Sequence, residues 1–399
     1  MSISERLKRI ENSLLIPVYR KRGPVLVSGR GCWVRDIDGR EYLDVTSGFG
    51  VAILGHSHPL IIEAISSQIE KLITCHSSFY CEARAEFLEA ISKRLPSELN
   101  SFLLTNSGAE AVEASLKLAR KYTGRKKIVA FVRGYHGKTL GALSATWNPK
   151  YRKGFEPLVE GFLHLPYGNL ERVESFLREN AEDVASIIVE PIQGEGGINV
   201  PPPGFLKGLR ELADQFNVLL IVDEIQTGLM RTGTFLASEQ ENVVPDILLL
   251  GKGLGGGLPI GFLASRKDVG EKMGIGGHTS TMAGNPVVCA SGKALLEALS
   301  KEISSSRIES SSKLFFENLT RIAESSNFIR EVRGKGLMIG IECRKPVGNL
   351  LKIMEEKGVL ALNAGINVVR FLPPLIINRD EILKVCETLE ESVKLVEEA

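Results

Sequence analysis

The chain has 399 residues, enough for two domains or one large one. Its 49 basic and 48 acidic residues leave a net charge of +1, which gives no reason to expect nucleic acid or an anionic membrane as a partner. No apolar run is as long as a membrane span, the polar start lacks a signal peptide's apolar core, and six scattered cysteines indicate reduced thiols in a cytoplasmic protein.

The first hundred residues predict helices, a hairpin and a loop. Hydrophobic periodicity and turn residues give these elements, in order: a short helix before Gly23, a hairpin at 32–45 that turns at Asp38-Gly39, a glycine-punctuated loop at 47–59, and helices at 59–73 and 83–95. The six histidines show no metal-ligand spacing, and His56 and His58 suit a turn, so no metal site is expected.

A strand, a small polar loop and a helix follow one another at residues 101–120. The strand Ser101–Thr105 runs into Asn106-Ser107-Gly108, and a helix with apolar residues at three- and four-residue steps comes next. Free amides at a helix start attract a phosphate, and the helix dipole adds to the attraction. An ordinary N-cap by Asn106 or Ser107 explains the same residues.

Two further strands end in side chains that suit a ligand site. The strand at 127–132 precedes Tyr135 and His136, and an aromatic there can stack on a planar ring. The strand beginning at 185 leads to a glycine-rich loop with Glu190 and Glu195, where backbone can approach a ligand closely. Alternatively, the tyrosine packs under a loop and the glycines serve only for turning.

Two buried strands deliver an acid and a lysine to the same sheet edge. Val218–Val222 ends in Asp223-Glu224, and Ile247–Leu250 ends in Gly251-Lys252. Continuous apolar runs of this length indicate a parallel sheet, whose strand carboxyl ends carry the chemistry. These two side chains suit pyridoxal phosphate (PLP). The acid can pair with the ring nitrogen of PLP, and the lysine amine can form a Schiff base with its aldehyde. The alternative is a structural salt bridge between Asp223 and Lys252.

The last third of the chain changes in character. The loop 276–286 contains three hydroxyl residues at 279–281, and a helix is predicted after Pro286. Amphipathic stretches at 303–324 and 379–397 flank short strands at 337–342 and 368–374, which indicates a smaller α+β domain.

Nine ordered motifs together resemble the class III (ω-)aminotransferases, which are PLP enzymes of fold type I. They are NSGAEAVEASLKLAR, GYHGKT, EPIQGEGG, LLIVDEIQTG, RTG, PDILLLGKGLGGGLP, HTSTMAGNP, VRGKGLMIGIE and VVRFLPPLI. The resemblance covers about residues 14–395 and is strongest to the acetylornithine and blocked-lysine aminotransferases. The segment LSATWNPKYRKGFEPLVE resembles the branch whose lysine or ornithine is attached to an amino-group carrier protein.

The resemblance implies a fold and a division of the chain. The fold is α/β, with a mainly parallel seven-stranded sheet, helices on both faces, and a smaller α+β domain. Residues 1–50 would join the small domain, 51–290 would form the large PLP-binding domain, and 291–399 would form the C-terminal small domain. A homodimer is expected, because Thr281 of the family reaches the phosphate of the neighbouring subunit.

The resemblance also assigns roles to residues. Lys252 and Asp223 would be catalytic: Lys252 forms the Schiff base and moves protons, and Asp223 pairs with the pyridine nitrogen. The cofactor would be bound by Ser107, Gly108, Ala109, Tyr135, Asp223, Glu224, Ile225, Gln226, Lys252 and Thr281. Lys138, Glu195, Ser280 and Arg370 would bind substrate, with Glu195 covering Arg370 except when 2-oxoglutarate needs that arginine.

The implied reaction moves the terminal amine of an α-blocked lysine or ornithine to 2-oxoglutarate, giving a semialdehyde and glutamate. An enzyme for 4-aminobutyrate or free ornithine, an aminomutase or racemase, and a PLP-binding regulator are the alternatives. The pair Glu195 and Arg370 favours an enzyme with two substrates.

Two positions depart from the family pattern. Met230 replaces a glycine in a tight loop. Lys138 stands where the family has an arginine that clamps the α-carboxylate, so a point charge replaces a planar fork.

Overall fold

The computed structural model describes residues 1–398. The first fifty residues form a helix, a three-stranded antiparallel meander and an irregular turn with positive φ at Gly48 and Phe49. These elements are α1 (Ile3–Leu14), β1 (Leu26–Arg30), β2 (Trp33–Asp36), β3 (Glu41–Asp44) and α2 (Ser47–Gly50).

A seven-stranded sheet forms the centre of the molecule, in the order β4-β10-β9-β8-β7-β5-β6. Only β10 runs antiparallel to its neighbours. The elements of this part are α3 (Pro59–Lys71), α4 (Glu82–Ser92), β4 (Ser101–Thr105), α5 (Gly108–Thr123), β5 (Lys127–Phe131), α6 (Leu140–Ala145), α7 (Pro149–Arg152), β6 (Phe162–Leu165), α8 (Leu170–Asn180), β7 (Val184–Val189), α9 (Phe205–Gln215), β8 (Leu219–Asp223), β9 (Ile247–Gly251), β10 (Gly261–Ser265) and α10 (Lys267–Gly270).

The C-terminal part contains a smaller antiparallel sheet in the order β11-β12-β15-β14. Strand β13 instead joins β3 in parallel, which ties this part to the first fifty residues. The elements are α11 (Pro286–Glu302), α12 (Ser305–Glu324), β11 (Ile329–Lys335), β12 (Met338–Cys343), α13 (Gly348–Glu356), β13 (Val359–Leu360), β14 (Leu362–Ala364), β15 (Val368–Phe371) and α14 (Arg379–Glu397).

The central strands are buried because helices cover both faces of the sheet. Every residue of β7, β8 and β9 is buried, which explains why these strands are continuous apolar runs without alternation. Burying each Val, Leu or Ile side chain contributes roughly 1.5–3 kcal/mol. The sheet is therefore a rigid base, and the residues that follow its strands are held in fixed positions.

Helix α5 begins and ends where its sequence predicts. The Ser107 side chain accepts a hydrogen bond from the amide of Glu110, and Gly124 ends the helix in the left-handed conformation at φ +70°. Ala111, Val112 and Ala119 are buried against the sheet. This packing fixes the helix start beside the ends of the strands.

The predicted sheet, hairpin and helices are confirmed. The elements that were not predicted are β1, β6, β10, β11, β13, β14, α2, α6–α10 and α13. Met230 is buried and has φ +69°, a backbone conformation in which glycine is more usual.

Within residues 1–398 we find no helix with the length and apolar character to cross a bilayer. Nor does that part of the chain contain a group of His, Cys, Asp or Glu side chains that could hold a metal ion.

Candidate active site

The carboxyl ends of four neighbouring strands open into one cavity of about 810 Å³. The residues after β5, β7, β8 and β9 bring His136, Glu190, Asp223 and Lys252 into its wall. The predicted meeting of an acid and a lysine at this edge is confirmed. This is where parallel α/β sheets place their ligands.

Lys252 follows β9 directly and has φ +46°, an uncommon conformation for a residue with a side chain. Loss of solvation in the cavity lowers the pKa of Lys252 to about 8, although the negative charge of Asp223 acts in the opposite direction. About a tenth of the amine is therefore neutral at pH 7, far more than for an exposed lysine, and this fraction can act as a nucleophile or base.

Asp223 forms a buried ion pair that the sequence analysis missed. Its Oδ2 lies 2.8 Å from Nδ1 of His136, and its Oδ1 accepts a hydrogen bond of 3.2 Å from the Ile225 amide. Burial lowers the pKa of His136, but the hydrogen bond and the charge of Asp223 outweigh burial, so the net shift is upward. The bond ties the two buried side chains together at the floor of the cavity.

Glu190 links two loops of the cavity, and the sequence analysis gave it no role. Its Oε2 accepts a 3.0 Å hydrogen bond from the amide of Tyr135, and its Oε1 accepts one of 3.1 Å from the amide of Gly194. Burial raises the pKa of Glu190 to about 7. The carboxyl group thus positions the aromatic residue relative to the loop that carries Glu195.

The start of α5 lines the cavity at Gly108 and Ala109. The first amides of a helix have no acceptor within the helix, and they attract anions. A Cβ atom on Gly108 would lie 2.8 Å from Cδ1 of Ile225, so only glycine allows this approach. Nearby, Oε1 of Gln226 is buried without a hydrogen-bond partner in the described part of the chain. These features fit a phosphate and a polar ring substituent.

The other end of the cavity carries charged groups for carboxylates. Nη2 of Arg370 donates a 3.0 Å hydrogen bond to Oε2 of Glu195, as expected of the closed switch. Nε and Nη1 of Arg370 are buried and, among residues 1–398, without a partner. Lys138 also lines the cavity, and its ammonium lies 4.5 Å from the centre of the Tyr151 ring. Unpaired guanidinium donors in a cavity fit an anionic substrate.

Most of the predicted site residues meet at this cavity. Those that line it are Gly108, Ala109, Tyr135, Lys138, Glu195, Asp223, Ile225, Gln226, Lys252 and Arg370. Tyr19, Phe49 and Tyr151 also line it, although they were not predicted to, as do His136 and Glu190, which the sequence analysis placed at this sheet edge without a role. The sequence signal for His136 and Glu190 was their position directly after buried strands.

Glu224 requires a correction, because the structure places its side chain away from the cavity. Its oxygens accept four hydrogen bonds, from the amides of Ala237 and Ser238 and the hydroxyls of Ser238 and Thr227, at 2.7–2.9 Å. The buried carboxylate holds the segment after β8 and has no free oxygen to offer a ligand.

Three other predicted residues lie outside the cavity lining. The Ser107 hydroxyl caps α5, and Asn106 donates a 2.6 Å hydrogen bond from Nδ2 to the Ser280 hydroxyl. Thr281 is exposed on the surface of the chain. Ser280 and Thr281 therefore belong to a loop that this chain's own cavity does not use.

Comparison with known proteins identifies the family. The family model of the class-III aminotransferases matches residues 19–393. An acetylornithine aminotransferase of Methanopyrus kandleri is 44% identical over 379 residues, which are 94% of this chain and 96% of the relative. A [LysW]-aminoadipate semialdehyde/glutamate semialdehyde transaminase of Sulfolobus acidocaldarius is 42% identical over 383 residues, 96% of this chain and 98% of the relative.

Comparison with a solved structure supports the same family. An ornithine aminotransferase from Toxoplasma gondii, with PLP at partial occupancy in its active site, superposes with a TM-score of 0.94 at 35% identity. The superposition covers 99% of this chain and 95% of that one. The chain belongs to the class-III aminotransferases, a family of PLP-dependent enzymes.

Proposed function

We propose that this enzyme moves the terminal amino group of an α-blocked lysine or ornithine to 2-oxoglutarate, releasing a semialdehyde and glutamate in lysine or arginine biosynthesis. The pair of Arg370 and Glu195 in the cavity carries the proposal. A single site must accept a donor with no carboxylate near its reacting end and an acceptor with two carboxylates. A carboxylate that covers and uncovers an arginine meets both requirements.

The residues that would hold PLP follow from the cavity's chemistry. The amides of Gly108 and Ala109 would hold the phosphate. Tyr135 would lie against the ring, Asp223 would face the ring nitrogen, and the free Oε1 of Gln226 suits the ring hydroxyl.

Bound PLP supplies an electron sink and carries the amino group between the two half-reactions. Lys252, whose pKa is lowered to about 8, would accept the proton from the carbon that bears the reacting amine. The same Nζ would return a proton to the 2-oxoglutarate carbon in the second half-reaction. His136 would hold the Asp223 carboxyl group in position, so that it faces the ring nitrogen.

Both the cavity and the relatives support a donor that has an α-carboxylate and a blocked α-amino group. Lys138 would neutralise the α-carboxylate of a substrate while Glu195 shields Arg370. The relatives named for acetylornithine and for [LysW]-bound semialdehydes support a donor whose α-amino group is blocked, and the second name supports an amino-group carrier protein as partner.

Amino transfer from a set of donors tests this proposal. Glutamate formation from 2-oxoglutarate should be measured with acetylornithine, carrier-bound lysine, carrier-bound ornithine, free ornithine and 4-aminobutyrate. We expect an α-blocked donor to have the highest kcat/KM. A preference for 4-aminobutyrate or free ornithine would contradict the proposal.

A further inference from the structure

Tyr151 lies where the two carboxylate anchors of the cavity approach each other. It belongs to the short helix α7, whose start is capped by the side chain of Asn148, 3.0 Å from the Lys150 amide. Its hydroxyl donates a 2.9 Å hydrogen bond to Oε1 of Glu195. The other oxygen of Glu195 accepts the bond from Arg370. Glu195 is therefore held over the arginine from both sides.

The aromatic ring of Tyr151 contacts two other residues of the cavity. The Lys138 ammonium lies over it at 4.5 Å, and the ring meets Tyr135 edge to face at 6.0 Å and 79°. Within residues 1–398, Lys138 forms no ion pair shorter than 4.0 Å. A cation is attracted to the face of an aromatic ring, so the ring helps to fix Lys138.

The hydroxyl keeps its proton throughout the working pH range. Burial and the negative charge of Glu195 raise the pKa of Tyr151 well above its usual value. The group can therefore serve as a donor to Glu195 but not as an acceptor of a proton from it.

We propose that Tyr151 is a positioning residue of the Glu195–Arg370 switch: its hydroxyl favours the closed form, and its ring places Lys138. This inference rests on the proposed function, since only an enzyme with two kinds of substrate needs the switch. Opening the switch breaks the bond from Tyr151 as well as the pair with Arg370. The Tyr151 hydroxyl therefore weakens the binding of dicarboxylates. This keeps dicarboxylates out of the site during the donor half-reaction.

Substitution of Tyr151 by Phe removes the hydroxyl and keeps the ring. Glutarate, a five-carbon dicarboxylate, can be titrated into the holoenzyme by calorimetry. We expect Tyr151→Phe to bind glutarate about tenfold tighter than wild type, because one hydrogen bond to a charged group no longer opposes opening. The KM for 2-oxoglutarate should fall while kcat changes less. An unchanged or weaker glutarate affinity would overturn the proposal.

A double-mutant cycle separates this role from general packing. In a Glu195→Ala background the acceptor of the hydroxyl's hydrogen bond is absent, so adding Tyr151→Phe should have no further effect on glutarate affinity. An equal effect in both backgrounds would contradict a role through Glu195. Tyr122→Phe is the matched control, since Tyr122 also donates a 2.9 Å hydrogen bond to a carboxylate, that of Asp268, outside the cavity.

A second variant tests the ring. Tyr151→Leu removes both the hydroxyl and the aromatic face, so Lys138 loses its support, and glutarate should bind more weakly than to Tyr151→Phe. Equal affinity in the two variants would exclude a role of the ring. If the wild type accepts no α-blocked donor, the proposed function fails, whereas the glutarate titrations still decide the role of Tyr151.

Discussion

Nδ1 of His136 lies 2.8 Å from Oδ2 of Asp223, although the two residues are 87 positions apart in the chain. Both are buried, so water cannot replace the bond if it is lost. In the proposed mechanism this bond would hold Asp223 in place to face the ring nitrogen of the cofactor.

Replacing His136 by Asn should therefore weaken PLP binding and reduce kcat. Asn still offers a donor to Asp223 but carries no positive charge, so the interaction weakens by roughly 1 kcal/mol, which is about fivefold in the affinity measured by equilibrium dialysis. His164→Asn is the control: burial lowers the pKa of His164 to about 4, so that residue is neutral and no charge is removed. Equal losses in the two variants would contradict the role of His136.

The reaction of the apoenzyme with PLP should become faster as the pH rises through about 8. Burial lowers the pKa of Lys252 from its usual 10.5 to about 8, so the nucleophilic neutral amine forms at a lower pH than for an exposed lysine. Stopped-flow absorbance measures the rate. Borohydride should then fix the cofactor to the peptide that contains Lys252, and Lys252→Ala should bind PLP but not turn over. A label on another lysine would remove the basis of the mechanism.

Arg370→Ala should damage the 2-oxoglutarate half-reaction far more than the donor half-reaction. In the proposed function Glu195 keeps the bond to the guanidinium that the structure shows while the donor is bound, so the donor half-reaction does not depend on Arg370. Arg370→Lys keeps the charge but loses the planar guanidinium. Its rate in the 2-oxoglutarate half-reaction should lie between those of wild type and Arg370→Ala. Single-turnover kinetics of each half-reaction measure the split, and equal losses in both would refute the switch.

Lys138→Arg should strengthen carboxylate binding by roughly 1–2 kcal/mol, or about tenfold in the KM for 2-oxoglutarate. A guanidinium can grip the α-carboxylate with two parallel hydrogen bonds, whereas the ammonium offers a point charge. Lys150→Arg, at an exposed position on α7, controls for a general effect of arginine. No change at position 138 would mean that another group anchors the α-carboxylate.

We expect a homodimer in which Thr281 of each subunit serves the cavity of its partner. Thr281 is exposed in the single chain and lies outside its own cavity. Thr281→Ala should weaken PLP binding by about 1 kcal/mol, the value of a typical hydrogen bond, while Thr279→Ala should not. Sedimentation measurements check the assembly, and a fully active monomer would contradict the expectation.

The sequence by itself determined the main sheet and the chemistry at its edge. The apolar runs before Asp223 and Lys252 could be assigned to buried parallel strands because burial on both faces removes alternation. The loop before α5 could be recognised because capping residues and glycine act locally. Strands β6 (FLHL) and β10 (GFLAS) were not recognised, since neither is a continuous run of branched apolar residues like those of β8 and β9.

Only the tertiary structure decided which side chains meet. Glu224 follows Asp223 in sequence, yet alternation along the strand sends it to the opposite side, where it holds Ala237 and Ser238. Tyr151 and Glu195 are 44 positions apart, and Arg370 and Glu195 are 175 apart. Such pairs depend on how loops leave the sheet and on the direction of each side chain, neither of which a local pattern of residues specifies.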